Sequence, residues 1–336
     1  MTHRFTVKQI AAQAGVSAAT VDRVRHGRAH VHEQTRRRVD AAIRELEEQA
    51  EAGIPAGLGL TFEVVLNSPE RFSQAVRRAF VAAAAAMAPL RIAPRFHADE
   101  RISPERIAAD LDALERKATH GVILKAPEHP AVVAAVESLA ARGIPVVTFA
   151  TDIGASGRLA YVGIDNAAAG RTAAFLLSRF LGQRDGMVLA NLGSRGFHGE
   201  HDRWRGFADF MAARCPRAEV AVIDGGYGLD QATYELTRAT RTARGPIAGI
   251  YSMGGGNRGL LRALDEAGDR DVVFVGHDLD DENRGLLRAG RIDAVVDHDL
   301  QADAARAIQH LLCFRRHGRA AESEASRAVI VTPWNM

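Results

Sequence analysis

From Phe62 onward the sequence alternates short β-rich apolar runs with longer stretches of helical periodicity, a rhythm compatible with few architectures. The runs FEVVL, LRIAPRF, GVILK and IPVVTF are separated by RFSQAVRRAFVAAAAAM, PERIAADLDALERK and PAVVAAVESLAAR. A second series, GMVLANL, AEVAVIDGG, IAGIYSM, DVVFVGHD and IDAVVDHD, is spaced by HDRWRGFADFMAAR, LDQATYELTRATR and NRGLLRALDEAG. Strands joined through helices pair in parallel, because a parallel connection needs a crossover of a dozen or more residues. Two such series predict an α/β body of two lobes with parallel sheets over residues 61–336. The first lobe is expected at about 61–163, rejoined by a returning helix and strand within 300–332, and the second at about 164–299.

The residues before this body have a different pattern. Thr6 followed by Gln9 is a capping-box start, and Val7, Ile10, Ala11 and Ala14 fall on one helical face. Gly15 suits a left-handed turn, and Ser17 is placed to cap a second helix whose buried side is Val21 and Val24. After the looser HGRAHVH, a third helix is predicted from about Glu33 to Glu48 on Val39, Ala42, Ile43 and Leu46. Two short helices meeting at a tight, Gly-containing corner, followed by a third, read as a DNA-binding helix-turn-helix over residues 1–49, with a linker at 50–60. Charge agrees: residues 1–44 carry nine Lys/Arg against three Asp/Glu, whereas the remainder holds 34 basic against 38 acidic residues. A basic head on a mildly acidic body suits a nucleic-acid module joined to a ligand-binding one.

Several functional classes find no support. No apolar run reaches the roughly 18 residues of a membrane helix, and the opening MTHRFTVKQI lacks the apolar core of a secretory signal, so a cytoplasmic protein without membrane contact is expected. Cys215 and Cys313 have neither disulfide-framework nor zinc spacing. GGGNRG at 254–259 formally matches a dinucleotide fingerprint but lies deep in the second series, where a glycine-rich turn at a cleft is the plainer reading. His198, Glu200 and His201 in FHGEHDRW match no metal-binding spacing, and no GxSxG or Walker motif occurs. No metal, cofactor or catalytic residue is therefore expected.

TVKQIAAQAGVSAATVDRV followed by TRRRVDAAIREL resembles the headpiece of LacI-type regulators, the lac-repressor family. The resemblance implies that the second helix enters the major groove and that DNA is contacted by Thr6, Ser17, Ala18, Ala19, Thr20, Arg23 and Thr35. Arg23 would read guanine and Thr35 would hold a phosphate, while Ala18 and Ala19 can only pack on thymine methyls or permit close approach. Two departures stand out. His32 replaces the usual Ser cap of the third helix, and the linker EEQAEAGIPAGLGLTF lacks the usual hinge-helix sequence, leaving Leu58 or Leu60 as the minor-groove wedge.

The body resembles the periplasmic sugar-binding-protein fold that this family uses as effector domain, through IPVVTF, VGIDNAAAGRTAA, DRWRGF, FVGHD and AVVDHDLQADAARAI. Ligands of open α/β sheets sit beyond the carboxyl ends of strands. Asn67, Lys125, Thr151, Asp152, Asp278 and His298 are the strand-end candidates, joined by Phe72 for stacking and by Asp202 and Arg203 of DRWRGF. Ala150-Thr151 replaces the family's frequent Asp-Arg pair, and His298 stands where Gln is common. The expected protein is a homodimeric regulator that binds a double-stranded DNA operator and senses a carbohydrate, polyol or similar small polar effector. The alternative is an α/β small-molecule-binding protein or enzyme whose basic head does not bind DNA.

Overall fold

Three helices, α1 (Val7–Ala14), α2 (Ala18–Arg25) and α3 (Glu33–Glu51), form the head. The computed structural model describes residues 4–28, 31–51, 59–88, 90–114, 119–154, 157–182, 184, 186–322 and 325–336. Thr6 closes the capping box on α1: its hydroxyl accepts from the Gln9 amide at 3.3 Å, and its own amide donates to Gln9 Oε1 at 2.8 Å. Gly15 ends α1 in the left-handed conformation at φ 61°, and Ser17 caps α2 by accepting from the Thr20 amide at 3.1 Å. Arg38 of α3 donates to the Ala14 carbonyl at 2.8 Å, so the third helix caps the corner between the first two. Phe5, Ile10, Val21, Val39 and Leu46 make a separate small core beneath that corner.

The body has two sheets. The first has the order β2-β1-β3-β4-β5 and is wholly parallel: β1 (Leu60–Leu66), β2 (Ile92–Ala98), β3 (Val122–Lys125), β4 (Val146–Phe149) and β5 (Ala160–Val162). Helices α4 (Glu70–Ala86), α5 (Pro104–Ala113) and α6 (Pro130–Ala141) supply its crossovers. The second sheet has the order β11-β10-β9-β8-β6-β7, from β6 (Met187–Asn191), β7 (Glu219–Ile223), β8 (Ile247–Ser252), β9 (Val273–His277), β10 (Ala294–His298) and β11 (Ala328–Val331). It is wrapped by α7 (Asn166–Leu181), α8 (His198–Arg214), α9 (Asp230–Arg244), α10 (Asn257–Ala267) and α11 (Asp281–Arg288). Each sheet is apolar on both faces, as the near-continuous Val/Ile/Leu runs require when helices cover both sides.

Two expectations need correction. The last helix, α12 (Leu300–His317), returns to the first lobe because Ala304, Ala307, Ile308 and Leu311 pack beneath β1 and β4. The final strand does not accompany it. β11 pairs antiparallel with β10, Val331 opposite Val295, and buries Val331 against Leu287 and Ile292 of the second lobe. The chain thus passes between lobes near residues 163–165 and 298–300, and again between α12 and β11. Leu60 is the first residue of β1, 1% exposed and paired with Ile92, and is spent on the core rather than on a minor-groove wedge. Leu58 lies outside the described residues.

Candidate functional site

The carboxyl ends of both sheets face one interlobe cleft. Its inner part, with the lobes apposed as they are here, is a tight cavity of about 50 Å3. Arg71, Phe72, Lys125 and Thr151 reach it from the first lobe, and Phe197, Glu200, Arg203, His277, Asp278 and Asp280 from the second. Asn67 opens instead onto a larger outer cleft of about 570 Å3, within the range typical of small-molecule sites, and its side-chain amide donates to the Asp99 carbonyl at 3.0 Å.

Arg203 is 6% exposed and is fixed from its backbone outward. α7 crosses α8 so closely that a Cβ on Gly170 would lie 2.0 Å from the Arg203 carbonyl oxygen, which only glycine permits. Asn166 then accepts from Arg203 Nε at 2.7 Å, leaving the guanidinium tip toward the cavity. Asp278 sits just beyond β9 in the left-handed region at φ 62°, as does Ala150 beyond β4 at φ 61°. A chain of buried amides holds the first of these turns. Asn191 donates to Ser252 at 3.0 Å, Ser252 to Asn257 at 2.6 Å, Asn257 to Asn283 at 2.6 Å, and Asn283 to the Asp278 carbonyl at 2.7 Å. Such strain at cavity-facing turns persists only where the surroundings over-determine it.

The electrostatics are unequal. Burial pulls the Lys125 ammonium down to about 8, against Glu200 and Asp278, which favour its charge. Burial pushes Glu200 up, while the Ser194 and Gly193 amides donate to its carboxylate at 3.0 and 2.6 Å. Burial alone would raise Asp278, but the flanking imidazoles hold it well below the carboxylate range, and His298 is the one that carries charge. Although burial opposes charge on His298, Asp278 at 3.4 Å and Asp303 at 2.7 Å push it up to about 9. Asp278 Oδ1, His277 Nε2 and His298 Nε2 are buried without hydrogen-bond partners, and the two ring nitrogens lie 3.7 and 3.4 Å from that oxygen.

Of the residues read from sequence, Phe72, Lys125, Thr151, Arg203 and Asp278 meet at the inner cavity. Asp152 does not, because its carboxylate forms a two-point bridge to Arg158 at 2.6 Å on each side and accepts from Thr148. Asp202 lines no part of the cavity, and His298 stands behind Asp278 rather than on the wall. Sequence reading missed Arg71, Phe197, Glu200 and Asp280 as cavity residues. Glu200 did stand out in FHGEHDRW, but as a failed metal motif; among the described residues no cluster could hold a metal ion.

The lobes are apposed across this cleft by polar contacts. Arg71 pairs with Asp280 at 2.7 Å and donates to the Gly228 carbonyl at 3.0 Å. Its guanidinium lies so near Gly255 that a Cβ there would be 1.6 Å from Nη2. Thr151 accepts from the Gly199 amide at 3.0 Å, so a first-lobe hydroxyl caps a second-lobe helix. Glu128 pairs with His198 at 2.6 Å, and Arg78 with Asp281 at 3.1 Å.

On the head, Ala18, Ala19 and Arg23 are exposed on α2, and Thr35 is half-buried in the first turn of α3. Arg23 is exposed, and among the described residues its Nε donates to the Ala19 carbonyl at 3.3 Å. Thr20 and Ser17 share a hydroxyl contact of 2.8 Å at the start of α2, and Thr6 lies at the start of α1.

Residues 6–47 match the family described as bacterial regulatory proteins, lacI family, and residues 64–312 match the periplasmic binding protein domain. No curated protein sequence matches the chain. Among solved structures, GanP, a glucose-galactose binding protein from Geobacillus stearothermophilus, is similar at 18% identity and TM-score 0.73, covering 83% of this chain and 99% of that one. A periplasmic solute-binding protein of an ABC transporter from Actinobacillus succinogenes, with bound D-allose, is 19% identical at TM-score 0.72, covering 82% and 98%. A carbohydrate-transporter solute-binding protein from Agrobacterium radiobacter, in complex with D-arabinose, is 20% identical at TM-score 0.70, covering 83% and 96%. At these identities the likeness is one of fold.

Proposed function

Because the chain belongs to the lacI family of bacterial regulatory proteins and carries a periplasmic binding protein domain as its body, we propose that it binds an operator duplex as a homodimer in the cytoplasm and adjusts that grip when a small polyhydroxylated effector occupies the interlobe cleft. The architecture is non-enzymatic, and no helix among the described residues is long and apolar enough to cross a membrane. One observation carries the reading: a head with an exposed Arg23 on its second helix shares a chain with a cavity walled by both lobes. A ligand touching Phe72 of one lobe and Arg203 and Asp278 of the other is held fully only when the lobes meet around it, and lobe movement changes the spacing of paired heads. The residues proposed to meet DNA are Thr6, Ser17, Ala18, Ala19, Thr20, Arg23 and Thr35, with Arg23 reading a base.

Selection of duplexes from a random library by the full chain, followed by salt-dependent titration, tests this reading. The expected product is a near-palindromic site. Arg23→Ala should lose about 1–3 kcal/mol of discrimination at one base position per half-site. Selection of no specific duplex, or unchanged discrimination by Arg23→Ala, would refute the head's proposed role.

A further inference from the structure

Besides the Arg71–Asp280 pair, four ionisable groups with charged forms at neutral pH line the inner cavity, and they are not matched alike. Glu200 accepts from two backbone amides, and Asp278 faces the His298 imidazole. Lys125 and Arg203 have no equivalent. Among the described residues neither lies within 4.0 Å of a carboxylate oxygen. Lys125 Nζ donates to one neutral acceptor, the Asn67 carbonyl at 3.3 Å, and otherwise lies 4.3 Å from the Phe197 ring centre and 5.4 Å from that of Phe72. Arg203 gives Nε to the Asn166 amide oxygen and Nη1 to the Met253 carbonyl at 3.4 Å, both neutral.

Glu200 and Asp278 act on these cations only from beyond 4.0 Å, and a buried cation without a direct ion pair is costly; here two of them converge on one space from opposite lobes. We propose that the effector is an anion: a polyhydroxylated carboxylate or phosphate ester whose acid group is held between Lys125 and Arg203 while its hydroxyls engage Asp278 and His277. This rests on reading the cleft as the effector pocket and adds the effector's charge. The acid supplies a direct ion pair to a first-lobe and a second-lobe cation together, so it draws the lobes closed, which a neutral sugar would do only through hydroxyl contacts. Asp278 and His277, both on the cavity wall, suit the hydroxyl end. A bound anion also favours the charged form of Lys125, whose ammonium burial has lowered to about 8 against the pull of Glu200 and Asp278 and with the repulsion of Arg203. Binding then takes up a proton near that pH, and affinity falls as pH rises through it.

The test is calorimetry on the full chain at constant ionic strength. The probes are D-gluconate, D-galactonate, D-glucuronate and D-galacturonate, D-glucose 6-phosphate and D-ribose 5-phosphate, and neutral D-glucose, D-galactose and D-ribose. At least one acid should bind tenfold or more tightly than its neutral parent, and whether the carboxylates or the phosphates do so identifies the acid group. Lys125→Met should cancel that ratio, Lys125→Arg should retain most of it, and Lys125→Gln serves if the Met variant does not fold. Affinity should drop severalfold between pH 7 and pH 9. Neutral sugars binding as well as the acids, no acid binding at all, or an unchanged ratio in Lys125→Met would overturn the proposal. Tight binding of a neutral sugar would still leave the cleft a sensor. Conversely, an acid that binds without altering duplex affinity would count against the regulatory reading and leave this one standing.

Discussion

The two lobes are built from the same strand–helix units, yet they present opposite chemistry across the cleft. The first offers Arg71 and Arg78 from α4 and Lys125 from the end of β3; the second offers Glu200, Asp278, Asp280 and Asp281. Arg203 is a cation on the acidic side, and Glu100 and Glu128, the latter paired with His198, are carboxylates on the basic side. The difference teaches that cross-cleft pairs such as Arg71–Asp280 and Glu128–His198 already join the lobes as they are apposed here. It also separates pairs already satisfied across the cleft from charges still waiting for a partner. Because these contacts differ in burial, each can be removed in turn, and the loss should follow burial.

The largest effect is expected at the crossings rather than in the cavity. Asp303 of α12, fully buried in the first lobe, accepts from His298 of β10 in the second at 2.7 Å and from Arg306 at 2.8 Å. It also accepts from Ser326 on the final crossing, whose amide in turn donates to the Gly163 carbonyl at 3.0 Å. One carboxylate thus braces all three passages of the chain. Asp303→Ala leaves a buried imidazolium without its main partner, and should cost about 3–5 kcal/mol in thermal or urea unfolding. A loss below about 1 kcal/mol would mean that the lobes are braced elsewhere. The pH profile gives a second reading. His298 is raised from 6.5 to about 9 on folding, so its contribution is complete below pH 6.5 and fades as pH rises through about 9. Melting curves from pH 6 to pH 10 should therefore fall at the alkaline end for the wild type, and Asp303→Asn should flatten that fall.

Next in size is Asp278→Ala, which removes the acidic lobe's acceptor at the cavity floor. Loss of a charged hydrogen-bond partner should weaken effector binding by about 1.5–3 kcal/mol, while operator affinity without effector stays near wild type. Calorimetry paired with a duplex titration checks both halves. Unchanged effector affinity would take Asp278 out of the site.

How far these lobes could be read from sequence depends on whether the deciding contact is local. The head was legible almost to the residue, because its capping box, left-handed Gly15 and Ser17 cap are set by neighbours three or four positions apart. The β–α rhythm gave the two sheets for the same reason. β11 was misplaced because an edge strand of four residues carries no signal for which lobe it will join; the burial of Val331 decides that only in three dimensions. In the cavity, Arg203 and Asp278 were found from motif and strand end. Arg71 and Glu200 were not, because what places them is a contact to Asp280, more than two hundred positions away, and a loop folded onto its own helix. Asp152 was a strand-end acid like Asp278, and only its bridge to Arg158 distinguishes it.

Arg71→Ala and Arg78→Ala sharpen the comparison most finely, because both delete an α4 arginine that reaches the start of α11, in pairs of different exposure. Arg71 and Asp280 are 27% and 5% exposed, whereas Arg78 and Asp281 are 58% and 80% exposed. The first pair is largely screened from solvent, and Arg71 also holds the Gly228 carbonyl, so its loss should weaken effector binding severalfold by making the apposed state less favourable. For the second, water already solvates both charges and holding two long side chains costs entropy, so Arg78→Ala should change effector affinity by less than about twofold. What effect it has should vanish in about 0.5 M salt, where the Debye length falls below the reach of exposed charges, while the effect of Arg71→Ala should persist. Equal, salt-sensitive losses from both variants would mean that the lobes attract through their overall opposite charge, and that the buried latch at Asp280 holds no special place.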